Sequence, residues 1–172
     1  LERPDISGAN LDGILDAVEF VRAGLVGAPH AIGDRVVVVG DDDSAFDTAR
    51  AAVRAQLSAG KAIDVKLILS DPAGHLTDSG NERREAELEG VAVHAGWKIV
   101  ACLGDGNVSS VKCRPTIRDP EDMAMLGIER NRDQGTWEVE LSAETVILSG
   151  ERSGDHGFLN GIAGAEAGRL IE

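Results

Sequence analysis

The stretch Arg35-Val36-Val37-Val38-Val39-Gly40-Asp41-Asp42-Asp43-Ser44-Ala45 joins a β-branched run, a glycine and the start of a helical pattern. Where a strand ends in glycine and turns into a helix, backbone N–H groups and the helix dipole can together hold an anionic group such as a phosphate. Gly40 puts no side chain at this turn. Three consecutive carboxylates, Asp41, Asp42 and Asp43, oppose that chemistry. A carboxylate about 4 Å from a phosphate charge costs roughly 1 kcal/mol in water and about 4 kcal/mol at an effective dielectric near 20. Against the two charges of a pyrophosphate, a loss of roughly 3–5 kcal/mol, about two to four decades in affinity, is expected. The same aspartates can instead be solvated and favour the helix N-terminus by about 0.3–1 kcal/mol. A re-purposed site for a metal ion or cationic group is the sharper reading. Asp47 fits a calcium loop only in part, because the glycine and terminal glutamate of that motif are missing.

Other residues of chemical interest are few. Asp71 follows the second apolar run and could accept from a sugar diol, or Asp71-Pro72 is simply a turn. His30, His75, His94 and His156 have neither metal-ligand nor triad spacing, and no G-x-S-x-G surrounds Ser44 or Ser149. No catalytic or metal-ligating set is expected. The charged run 82–89 reads as a solvated helix face.

The elements that must position these residues follow from periodicity. Apolar residues at Leu11, Ile14, Leu15, Val18, Val21 and Leu25 predict a helix over 11–25 with Asn10 as its N-cap. Runs at 35–39 and 63–69 predict strands buried on both faces. Between them a helix runs to about Ser58, capped by Asp43 or Ser44 and stopped by Gly60. A polar stretch over 70–81, a short helix over 82–89 ended by Gly90 and a strand at 91–94 complete a βαβαβ unit over 35–94. The pattern then changes to antiparallel strands at 97–103, 108–114 and 136–141, with a polar loop at 118–134. A last apolar strand at 145–148 ends in Ser149-Gly150. Such an order implies an α/β fold: a parallel sheet with helices on one side and a three-stranded β-meander on the other.

At 172 residues the chain is long enough for one domain, here divided into a lead-in segment and helix (1–30), the βαβαβ unit, the meander (97–141) and a last strand with tail (145–172). Its formal net charge of −13 argues against nucleic acid and anionic membrane surfaces as partners. The start Leu1-Glu2-Arg3-Pro4 is neither signal-like nor transit-like and reads as a piece of a longer protein, tag removal or processing being the alternative, expected in the cytoplasm. If Asp105-Gly106 is a two-residue turn, Cys102 faces Ser109 and Cys113 faces Lys98. The thiols then sit roughly 13 Å apart along the ladder, and both are expected to be free.

In this order the segments resemble the NAD(P)H-binding, Rossmann-like domain of FAD-dependent pyridine nucleotide-disulfide oxidoreductases, and within them the small-subunit type of glutamate synthase. The likeness rests on Asp5-Ile6-Ser7-Gly8-Ala9-Asn10-Leu11 before Ile14-Leu15-Asp16-Ala17, on Val38-Val39-Gly40 with Ala45-Phe46-Asp47-Thr48-Ala49-Arg50, and on Glu87-Leu88-Glu89-Gly90-Val91. It implies NAD(P)H as cofactor, FAD held outside this fragment, and the FAD-binding domain of the parent oxidoreductase as partner. A domain of this kind binds the nucleotide without being catalytic alone. The cofactor-binding positions it implies are Gly40, Asp41, Asp42, Asp43, Ser44, Ala45, Asp71 and Gly150. The pattern departs from the family where it matters. Asp42 replaces the second glycine, Leu69-Ser70-Asp71-Pro72 offers no cation for a 2′-phosphate, and Leu148-Ser149-Gly150 keeps only the glycine of the family's A-I-G. The alternative it raises is a degenerate domain that has lost nucleotide binding and serves as a structural or docking module.

Overall fold

A computed structural model of the chain describes residues 6–71, 80–116 and 138–149. The polar loop at 118–134, Gly150 and the tail, His75, His156 and most of the 70–81 stretch lie outside the described residues.

The four valines of Val36–Val39 (β2) favour extended backbone through β-branching, and they form a central strand of a five-stranded sheet. β2 pairs in parallel with Val65–Leu69 (β3) on one side and Thr145–Leu148 (β8) on the other; β3 pairs in turn with Val91–Ala95 (β4). The helices Ala17–Leu25 (α1), Asp43–Ser58 (α2) and Gly80–Leu88 (α3) cover one face. There Phe20, Phe46 and Val53 meet Val38, Leu67 and Ile147. Trp97–Asp105 (β5), Asn107–Pro115 (β6) and Val139–Ser142 (β7) form an antiparallel sheet in the order β5-β6-β7. It packs Ile99, Val108 and Val111 against Val37, Ile68 and Val146 on the opposite face. The three layers are those expected. Successive residues of β2 point alternately into the two cores, and those of β3 do the same except at Lys66, which is half-buried and ion-paired with Asp64.

Two local expectations need correction. The helix over 11–25 begins only at Ala17, capped by Asp16, whose carboxylate accepts from the Glu19 N–H at 3.0 Å; Asn10 is not its cap. Ile14–Asp16 is instead a strand (β1) paired in parallel with β8. Gly13, at φ +89°, turns the chain into it, and the Gly13 carbonyl accepts from the Val146 N–H. Ile14 faces the meander core and Leu15 the helical core, so helical spacing at these two positions is met by strand alternation.

The β5–β6 hairpin is tighter than a two-residue turn. Asp105 pairs with Asn107 around Gly106 at φ +76°, and register shifts follow between Leu103 and Gly104 and between Ile99 and Ala101. Cys102 therefore lies opposite Val111, and Cys113 opposite Ile99. The thiols share the buried inter-sheet face as diagonal neighbours, so the separation argument fails; both cysteines are nevertheless free. Burial pushes the Cys113 thiol up to about 12, with Cys102 adding to it, and raises Cys102 as well.

Candidate functional site

The turn after β2 sits at the C-terminal edge of the parallel sheet, between the ends of β3 and β8. Open α/β sheets bind ligands at this edge. Gly40 is buried there and its N–H donates to the Ile68 carbonyl at 3.3 Å. A β-carbon at Gly40 would overlap the Ser149 carbonyl oxygen and come within 2.9 Å of Ser149 Cβ and 3.0 Å of Ala45 Cβ. The space the glycine leaves is thus filled by the chain leaving β8. Ala45 is fully buried beneath it and lets α2 lie close on β2, as its size suggests.

The three aspartates diverge. Asp42, not Asp43 or Ser44, is the N-cap of α2, with extended backbone at φ −118° and ψ 171°. Its Oδ1 accepts from the Ala45 N–H at 3.1 Å and from Ser44 Oγ at 2.7 Å. Asp41 reaches sideways to β3: its two carboxylate oxygens accept from the Ser70 N–H and Ser70 Oγ, each at 2.5 Å. Asp43 is exposed in the first turn of α2. Ser44 Oγ and Ser149 Oγ lie 2.9 Å apart, and Ser149 Oγ is 3.5 Å from Asp42 Oδ1. The Ser149 N–H donates to the Val39 carbonyl at 2.7 Å. Asp71 is half-buried, next to Ser70.

The structure thus gathers Gly40, Asp41, Asp42, Ser44 and Ala45 at one corner. Ser70 and Ser149 are the members whose roles composition alone does not reveal, together with Thr116, whose Oγ1 donates to the Ser70 carbonyl at 2.7 Å. The available signal is positional: each serine is the residue after a parallel strand, and such residues meet at one sheet edge. His94 does not join them. It pairs with Ile68 from β4, and burial, then the Lys66 charge, holds its imidazole below the usual value. Among the described residues no group of three or more His, Cys, Asp or Glu side chains is disposed to hold a metal ion.

The N-terminus of α2 is capped by the Asp42 carboxylate, and the end of β3 is held by the carboxylate of Asp41.

No family model and no curated protein matches the chain. Solved structures do. Thioredoxin reductase of T. acidophilum superposes with a TM-score of 0.57 at 15% identity, over 86% of this chain and 40% of that one. An FAD-dependent pyridine nucleotide-disulphide oxidoreductase from Desulfovibrio vulgaris gives 0.55 at 21% identity, over 87% and 32%. Mycobacterium tuberculosis FprA in complex with NADPH gives 0.53 at 15% identity, over 86% and 47%. The fold of this chain is that of a domain found in such oxidoreductases, and the chain spans less than half the length of each. Among the described residues no helix is long and apolar enough to cross a membrane.

Proposed function

We propose that this chain is the NAD(P)H-binding-type domain of an FAD-dependent oxidoreductase of the glutamate synthase small-subunit kind, with a nucleotide turn that has lost most of its grip. The supporting observation is the β2–Gly40–α2 turn, set at the C-terminal edge of the sheet beside the end of β8 in a three-layer fold. On this reading FAD is held by the remainder of the parent protein, in the cytoplasm, and the FAD-binding domain is the partner. A second reading, a domain without nucleotide binding kept for structure or docking, is favoured by the engagement of Asp41 and Asp42 with the chain itself.

Calorimetric titration with NADH and NADPH separates the two. The expected dissociation constant is at or above roughly 1 mM, about −4 kcal/mol. NADPH should bind no better than NADH, because the residues after Leu69 are Ser70 and Asp71 rather than cations. Replacing Asp41 and Asp42 by glycine and Asp43 by asparagine should improve binding at least tenfold, about 1.4 kcal/mol. Micromolar binding by wild type would overturn the loss of grip. No gain in the triple variant would favour the second reading.

A further inference from the structure

We infer that the turn carries an autoinhibitory contact: Asp41 straps the end of β2 to Ser70 at the end of β3, and with the Asp42 cap it occupies from within the places a dinucleotide would take. The inference rests on the proposed function and deepens it, because it replaces charge repulsion by intramolecular occupancy as the reason for weak binding.

Three observations carry it. First, Asp41 uses both carboxylate oxygens on one residue, the Ser70 N–H and Oγ, across the gap between two strand ends. Charge-assisted, two-pronged contacts of this kind are among the stronger hydrogen bonds. Second, Ser70 is itself fixed from the meander layer, through Thr116 Oγ1 to its carbonyl, so the strap is anchored at both ends. Third, the room beside Gly40 is taken by Ser149, whose hydroxyl closes a chain of contacts through Ser44 to the Asp42 carboxylate. A dinucleotide would have to displace these contacts before gaining its own. Repulsion between charges is long-ranged and weakens with salt, whereas a short hydrogen-bonded strap does so much less.

The test is a double-mutant cycle on the chain, read by thermal unfolding, with Asp41→Ala, Ser70→Ala and the double variant. Each single variant should lower Tm by about 2–4 °C, and the double variant by clearly less than the sum. An unchanged or raised Tm in Asp41→Ala, as relief of like-charge repulsion alone would give, overturns the strap, and so does additivity. NADH titrations at low and high salt supply the second readout. Wild type should stay weak at both, and Asp41→Ala should gain at least tenfold at both; a wild type that gains as much from salt as from the substitution overturns the inference. Coupling without nucleotide binding by any variant overturns both the exclusion and the reading it rests on. Additivity with a tenfold gain in the Asp41, Asp42 and Asp43 triple variant overturns the strap alone.

Discussion

At the scale of single residues, Gly40 is required by the packing of its own chain. A β-carbon there meets the Ser149 carbonyl before it could meet any bound group, and Ser149 is held in place by its N–H bond to Val39. Gly40→Ala should therefore destabilise the fold by about 1–3 kcal/mol, the range for overpacking a close contact. Chemical denaturation checks this; a loss below about 0.5 kcal/mol would show that the end of β8 yields freely. The glycine and the aspartates stand out in the sequence because of their types and adjacency. Their partners do not, since Ser70 and Ser149 lie 29 and 107 residues from Asp41 and Asp42 and meet them only through sheet order. A reading limited to charge assigns all three aspartates the same role, whereas the structure gives Asp41 a strap and Asp42 a cap.

At the scale of elements, the largely apolar runs of β2, β3 and β8 were legible because most of their side chains are buried, Lys66 in β3 excepted, and the meander because its alternation changes character after His94. What escaped was short or locally ambiguous. β1 has only three residues, and its apolar spacing fits a helix as well as a strand; the decision is made by Gly13 and by pairing with β8, 132 positions away in the register of Ile14 with Val146. The β5–β6 register depends on two shifts that no turn residue announces. Gln56 is another element-level device hidden by its polarity. It sits fully buried on α2, its amide donates to the carbonyls of Gly33 at 3.2 Å and Asp34 at 3.0 Å, and its oxygen accepts from the Asp64 N–H at 2.9 Å. It thereby ties α2 to the segments entering β2 and β3 at the edge remote from the β2–α2 turn. Gln56→Ala would leave partly buried backbone groups without this partner and a cavity behind, for an expected loss of about 2–4 kcal/mol. A urea titration reads it directly, and a loss under about 1 kcal/mol would mean that water replaces the amide without penalty.

At the scale of the whole molecule, a net charge of −13 makes the balance of paired and unpaired carboxylates decisive for pH dependence. Glu144 bridges the entry to β8 and the entry to β2. It accepts from the Asp34 N–H at 2.8 Å and from Arg35 Nη2 at 2.5 Å. The Asp34 N–H first, and then Arg35, hold its carboxyl below the usual range. Glu138 is lowered by Arg114, and Asp34 by Lys61. Burial pushes Glu89 up, but hydrogen bonds from Arg50 and Arg54 bring it net below its ordinary value. In each case the unfolded chain binds a proton at higher pH than the folded chain does. The stabilisation is therefore fully present above the ordinary carboxylate value and is lost as pH falls through the lowered one. His94 acts in the same direction slightly earlier, since its neutral form is favoured in the fold and the unfolded chain protonates first, near 6.5. Melting curves from pH 7 to pH 3 should show Tm falling as the carboxylates titrate. Glu144→Gln should melt lower than wild type at pH 7, fall less steeply on acidification, and converge with wild type near pH 3. Parallel curves across that window would mean that the bridge between Glu144 and Arg35 contributes nothing to the coupling of β2 and β8.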